Sequence, residues 1–597
     1  MEWLRRYPGW AVVALALGLR LLYLTQISDS PLFRHPVVDA ETYADQAAQL
    51  AGGNWLGRGE GPYWQPPLYP YFLGVIRAAF PDHFWFVSRL LQVLLGALSC
   101  GLTWWLGRRF FGPGVGLAAG LAAAGYGPLI YHDGELLPAT LGICLNLLAL
   151  VLLVRGGGPR HWVGTGAVLG LASLALAPSL VFTATAAAWC CWQGWQTDRT
   201  RALRRAGFLL LGAVLVVAPV SLRNYLVGGD TVLISYNGGV NFYLGNNPQY
   251  ERTIGIRPGW EWDDLVGQPL AAGIVRPSDK AAFFYTRAWE YIGGHPLDYL
   301  GLLTRKAWSY WQGDEVGRNQ DIYFWRRYSV LLSGLLWKAG LAFPFGVVAP
   351  LSLLGLGLAL RRREPTLLLI YAFAHFAAVT AFFVTSRYRL PALPVLLLFA
   401  AEGGRWLWQH RHQRQGGVVL AGLVLLGVGA NWGLAPMQMT GDAAIHYNLG
   451  QAYAKDRQVA EARSEFAEAV RLDSTYWQAW LNLGSVEAMS GNMPEAAGIF
   501  ARVAAARPGQ VEAWMNLAHA RVGLQQLPEA AQAYNEALKL PSPHRRQIYL
   551  ELIGFHLRTR QFGEAEAVLR QAQQEYPAEA GQFEQAFRQV KARIPGQ

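Results

Sequence analysis

The chain has 597 residues, 52% of them hydrophobic and 15% charged, with a formal net charge of +11. Soluble domains hold about 25% charged residues, so the composition excludes a single soluble enzyme, a disordered chain and a collagen-like repeat. Charge divides with apolarity: residues 437–597 carry 16 Lys+Arg against 17 Asp+Glu, and the rest carries a net +12. Because the basic excess belongs to the apolar part, it speaks for loop topology, and no nucleic-acid partner is expected. The four cysteines, Cys100, Cys144, Cys190 and Cys191, all lie inside apolar runs and read as buried small hydrophobes.

From the N-terminus, apolar runs of membrane-helix length occupy roughly 9–26, 84–107, 113–131, 136–154, 162–177, 179–196, 206–222, 335–360, 366–384, 390–408 and 416–434. The first follows Met1-Glu2-Trp3-Leu4-Arg5-Arg6, a signal-like start with no clean cleavage site, and reads as an uncleaved helix. Arginine marks every second connection: Arg5/Arg6, Arg108/Arg109, Arg155/Arg160, Arg199 to Arg205, Arg361 to Arg363 and Arg405 to Arg414. By the positive-inside rule these ends are cytoplasmic. Eleven spans then leave two long outer loops, about 27–83 and 223–334, short ones near 132–135 and 385–389, and an outer C-terminus. Segment 279–312 mixes apolar and charged residues at helical spacing and is expected to form interfacial helices; Glu261, Asp263, Asp264, Asp314 and Glu315 read as solvated.

Residues 437–597 carry a repeat. Gly450, Gly484 and Ala518 are 34 residues apart, as are Ala462, Ala496 and Ala530, and a degenerate fourth unit puts Ala565 one residue late. This is the tetratricopeptide pattern, a helix–turn–helix per unit. Such an array exposes a groove for a protein or peptide, or serves as a packing module.

Chemistry is sought among ionisable residues on the outer face. Asp39 and Glu41, two residues apart, suit a catalytic base, a cation site or sugar hydroxyls, and equally a solvated loop. Arg387 and Arg389, at the mouth of a span and against the positive-inside trend, suit a lipid phosphate, and equally headgroup anchoring.

Asp39 to Tyr43, Pro66-Pro67-Leu68-Tyr69, Glu135-Leu136-Leu137-Pro138 and Arg387-Tyr388-Arg389-Leu390-Pro391 together resemble the bacterial relatives of protein O-mannosyltransferases, which are GT-C glycosyltransferases. Asn237 to Pro248, Arg305-Lys306 and Asn319-Gln320-Asp321-Ile322-Tyr323-Phe324 are similar to members that end in tetratricopeptide repeats. The sequence departs from the common pattern at Ala40, which separates the two acids, and at Gln65, where many members carry Lys or His.

The resemblance implies an all-α polytopic enzyme over 1–436 followed by an α-solenoid over 437–597. It implies a polyprenyl-phosphate sugar donor, inverting transfer to an acceptor hydroxyl, and a site on the periplasmic face of a bacterial inner membrane. Asp39 is then the base with Glu41 beside it, and Arg387 and Arg389, helped by Lys306, hold the donor phosphate. Glu135, His132, Gln65 and Tyr69 orient the sugar or acceptor. No cofactor and no metal is expected. The acceptor is a protein or glycan, and the repeats recruit it or another protein. The alternatives are an O-antigen ligase or polymerase, which uses a pyrophosphate donor, and a non-catalytic scaffold presenting the repeats.

Overall fold

The computed structural model describes residues 8–317, 321–433 and 443–593. Arg5, Arg6, Asn319 and Gln320, singled out above, lie outside the described residues. The chain divides into two compact units, Met1–Gly441 and Asp442–Gln597.

In the first unit the apolar stretches are helical, the only open-chain form that satisfies backbone polar groups within lipid. Pro8–Ile27, Phe84–Phe111, Ala139–Arg155, Pro159–Ala175, Ser179–Gly194, Arg199–Leu226, Thr366–Ala381, Leu393–His410 and Arg414–Ala430 fall on nine expected stretches. Among the described residues, five helices are long and apolar enough to cross a membrane, or six if one bent pair is a single span. Eleven spans would also need five helices of 16 or 17 residues to cross.

Two stretches differ from expectation. The run at 113–131 is broken into Pro113–Ala124 and Gly127–Gly134, bent by 50°. Gly127, at the start of the second arm, lets the Leu335 main chain approach closely: a Cβ there would stand 2.6 Å from the Leu335 carbonyl oxygen. The run at 335–360 is helical only from Phe345, because Trp337–Lys338 and Ala342–Phe343 pair as an antiparallel hairpin around Gly340 at φ +72°. Apolarity alone does not distinguish that hairpin from a helix start.

The bundle is apolar on both sides, as lipid requires. Leu147, Leu169, Phe182, Tyr371 and Leu398 are fully buried, while Leu210, Leu211, Val214 and Leu215 point outward from the Arg199–Leu226 helix. Segment 279–312 folds as expected into Pro277–Gly294 and Pro296–Trp311, with Trp289, Leu297, Leu300 and Trp308 exposed.

The second unit is four helix pairs and a closing helix. The first helices are Ala443–Lys455, Trp477–Met489, Val511–Gly523 and Arg545–Arg558. Their partners are Val459–Leu472, Met493–Ala506, Leu527–Lys539 and Phe562–Glu575, and Ala580–Lys591 closes the array. The spacing of small residues has a direct cause: a Cβ on Gly450 would stand 2.7 Å from Phe466, and one on Gly484 2.7 Å from Phe500. Each pair turns through a left-handed residue, Arg457, Gly491, Gln525 and Arg560. The last of these is one residue late, in step with Ala565.

Candidate active site

Val38 has φ 57°, a region that a β-branched residue enters only under strain. It delivers Asp39 to the first turn of the Asp39–Ala51 helix. Glu41 follows two residues on, about 200° around the same helix, and does not line the cavity that Asp39 borders. Asp39 Oδ2 accepts a 2.7 Å hydrogen bond from Arg387 Nη1, although 348 residues separate them. Arg387 Nη2 also donates to Tyr388 Oη at 3.2 Å.

The pair borders a cavity of about 560 Å³, part of it open to solvent. Tyr131, His132, Glu135 and Leu137 form one wall; Thr385, Ser386, Val316 and Gly317 close it beside Arg387. Three of the sequence motifs thus meet at one place.

Residues inside apolar runs hold the Glu135 wall. Arg20 Nε donates to Asp133 Oδ2 at 2.6 Å, and its Nη1 donates to the Ala124 carbonyl at 3.1 Å, so one guanidinium grips both arms of the broken helix. Thr140 Oγ1 donates to Asp133 Oδ1 at 2.7 Å. Gln92 Nε2 donates to the carbonyls of Asp133 at 3.0 Å and Glu135 at 2.6 Å, and Arg89 Nε to that of Gly134 at 2.8 Å. Tyr69 is fully buried and its hydroxyl donates to Gln92 Oε1. It therefore supports the Glu135 main chain from behind and does not line the cavity. Gln65 is buried elsewhere, with Oε1 unpaired among the described residues. Burial raises the Glu135 pKa to about 7, with nearby Arg89 opposing the shift.

Arg389 and Lys306 lie outside the cavity lining. Arg389 is buried under Phe345 at 3.6 Å, and its Nη2 pairs with Glu315 Oε2 at 2.8 Å. Its Nη1 donates to the carbonyls of Tyr310 at 3.1 Å and Gln312 at 2.7 Å. Ser386 also donates to Glu315, and Ser386 N donates to the Val316 carbonyl at 2.9 Å. Arg389 thereby ties the end of the long loop to the segment that carries Arg387. Glu315 is buried, which corrects its reading as solvated. Lys306 Nζ donates to Gly245 O, Asn246 Oδ1 and Phe382 O at 3.1, 2.9 and 3.0 Å, and burial lowers its pKa to about 8. All three hydrogens are used within the protein, and none is left for a phosphate.

Sequence reasoning missed Arg20, Arg89, Gln92 and Glu315. For Arg20, Arg89 and Gln92 the available signal was an ionisable or amide residue inside an apolar run, which membrane burial makes costly unless partnered; Glu315, in the long loop, carried no such signal. Among the described residues, no group of three His, Cys, Asp or Glu is placed to hold a metal ion.

Residues 64–222 match the dolichyl-phosphate-mannose-protein mannosyltransferase family. Residues 442–511 and 515–580 match the tetratricopeptide repeat. Both matches bear out the resemblance drawn from the motifs. A search of curated proteins finds no match. Among solved structures, the apo oligosaccharyltransferase of Archaeoglobus fulgidus is 14% identical, covering 72% of this chain and 55% of its own, with TM-score 0.40. The same archaeal enzyme in complex with an inhibitory peptide and a dolichol-phosphate is also 14% identical, covering 81% of this chain and 60% of its own, with TM-score 0.40. The chain thus spans 55% and 60% of those two chains' lengths. MamA from Desulfovibrio magneticus RS-1, residues 41 to the end, is 17% identical over 30% of this chain and 94% of its own, with TM-score 0.22.

Proposed function

We propose that the membrane unit is a glycosyltransferase that moves a sugar from a polyprenyl-phosphate donor to an acceptor hydroxyl. The observation that carries this reading is the cavity where Asp39 and Arg387 meet, in a unit whose residues 64–222 match a mannosyltransferase family. Asp39 accepts the proton of the acceptor hydroxyl as its oxygen bonds to the anomeric carbon from the face opposite the phosphate. The anomeric carbon–oxygen bond breaks, and its electron pair stays on the departing phosphate. Arg387 compensates that charge as it develops, the task that preorganised donors perform best in a water-poor site. A phosphate leaves without a general acid, so one base suffices. Arg389 and Lys306 are positioning residues, not phosphate ligands. The site faces the periplasmic side of a bacterial inner membrane in this reading, and the repeats bind the acceptor or a protein partner.

The test is transfer from polyprenyl-phosphate mannose and from a polyprenyl-pyrophosphate sugar to a hydroxyl acceptor by the purified full-length protein. Activity with the monophosphate donor, lost in Arg387→Ala, is expected. Activity with the pyrophosphate donor alone would move the protein to the ligase or polymerase class. Inactivity with both, in a folded protein, would favour a scaffold.

A further inference from the structure

The end of the bundle remote from the cavity is built of arginine and tryptophan. The helix Ala139–Arg155 begins four residues past Glu135, so Arg155 stands about 25 Å along it from the cavity wall. Two contacts show which helix ends gather there. The Arg155 guanidinium lies 5.4 Å from the ring centroid of Trp105, on Phe84–Phe111. That of Arg205, on Arg199–Leu226, lies 5.7 Å from the ring of Trp162, on Pro159–Ala175. Arg108 lies 5.6 Å from Trp104. With Arg109 and Arg160, these residues form an arc of guanidiniums on four helices.

No member of the arc pairs with a carboxylate among the described residues. Asp198, the acid nearest to Arg205 in sequence, is taken by Arg201, whose main-chain N–H donates to it at 2.9 Å and whose Nε lies 3.5 Å away. Loop topology accounts for arginine at this end. It does not account for two guanidiniums laid on tryptophan rings of neighbouring helices. That placement fixes Arg155 and Arg205 before any ligand arrives, so less ordering remains to be done on binding. Their N–H groups make no hydrogen bond among the described residues and are free to donate. Trp162 is itself buried and held by its Nε1, which donates to the Gly157 carbonyl at 2.9 Å. Beside it the chain runs Gly156-Gly157-Gly158, and a Cβ on Gly158 would meet nothing within 4 Å, which leaves room for a headgroup. Residues 1–279 contain no lysine, so every cation here is a planar fork, the shape that takes a phosphate through two parallel bonds.

We propose that this arc is a binding site for the headgroup phosphate of anionic phospholipids, which ties together the ends of the four helices. The site is independent of the chemistry at Asp39. A zwitterionic lipid brings its own cation to the arc and gains less there.

The test is equilibrium binding to the full-length protein in neutral detergent micelles. The probes are phosphatidylglycerol, phosphatidylcholine with the same acyl chains, and inorganic phosphate. Phosphatidylglycerol should bind about tenfold tighter than phosphatidylcholine, as one charge-assisted hydrogen bond implies, and the ratio should fall as salt is raised. Arg155→Gln with Arg205→Gln should bring the ratio towards one. Arg361→Gln with Arg363→Gln removes the same charge from another basic connection and should leave it unchanged. Trp105→Leu keeps every charge but frees Arg155, and should reduce it. A wild-type ratio near one, a ratio that survives in the arc variant, or an equal loss in both double variants overturns the proposal. So does inorganic phosphate binding as tightly as phosphatidylglycerol, which would make this a site for a free anion.

Discussion

Asp39 owes its position to a strained Val38 before it and to a guanidinium that arrives from 348 residues away. Asp39→Asn keeps the shape and removes the proton acceptor, so transfer should fall about a hundredfold or more. Glu41→Gln, outside the cavity, should keep most of the activity; if the two effects are reversed, the base is misassigned. The ion pair makes a second forecast possible. Arg387 and Asp39 are 22% and 29% exposed, a setting in which such a pair is worth up to about 1 kcal/mol. Freeing Arg387 by Asp39→Asn should therefore tighten the binding of polyprenyl phosphate, by up to about fivefold. Unchanged or weaker binding would mean that the carboxylate does not compete for this arginine. At the other end of the site, Arg20→Ala would leave Asp133 buried without its counter-charge, with the Thr140 hydroxyl still bonded to it. Loss of one member of a buried pair costs about 3–5 kcal/mol, so detergent-solubilised Arg20→Ala should unfold well below the wild-type temperature. Arg20→Ala with Asp133→Ala should recover part of that loss. No recovery in the double variant would mean that packing, not charge, is what Arg20 supplies.

At the scale of elements, the repeat is the part whose packing is written most directly in the sequence. Its periodicity is written in small residues, and at two of them the cause is visible, Phe466 against Gly450 and Phe500 against Gly484. Gly484→Val puts branched carbon into that 2.7 Å gap and should cost about 1–3 kcal/mol, the usual scale of overpacking. Thermal unfolding of the full-length protein, followed through the repeat, would measure it, and an unshifted transition would mean that the helix pair slides apart freely. The spans were legible for a similar reason, because apolar runs have few other fates in lipid. The hairpin at 337–343 was not legible, because pairing across Gly340 depends on what packs around it. The site was legible only in part. Asp39, Arg387, His132 and Glu135 stood out as polar residues beside spans. Arg20, Arg89 and Gln92 did not, because each finds its partner only when separate helices come together. Glu315 looked like a loop acid until Arg389 and Ser386 closed over it.

At the scale of the molecule, the expected topology rests on the alternation of arginine clusters. Reporter fusions at Gln409 and after Gln597 should report opposite sides of the membrane, and the same answer from both would mean a miscounted span. The described lining residues of the cavity all belong to the Met1–Gly441 unit, and each unit has its own core. Removing 443–597 should therefore spare transfer to a small soluble acceptor and impair transfer to the natural one. Failure with both acceptors, in a protein still folded and inserted, would make the repeats part of the catalytic unit. In the proposed mechanism, the Asp39–Arg387 contact also dictates a timetable. While the arginine holds the carboxylate, water reaching the cavity finds no free base. A lipid phosphate that draws the arginine away releases the carboxylate. Turnover then follows a compulsory sequence, lipid donor before acceptor.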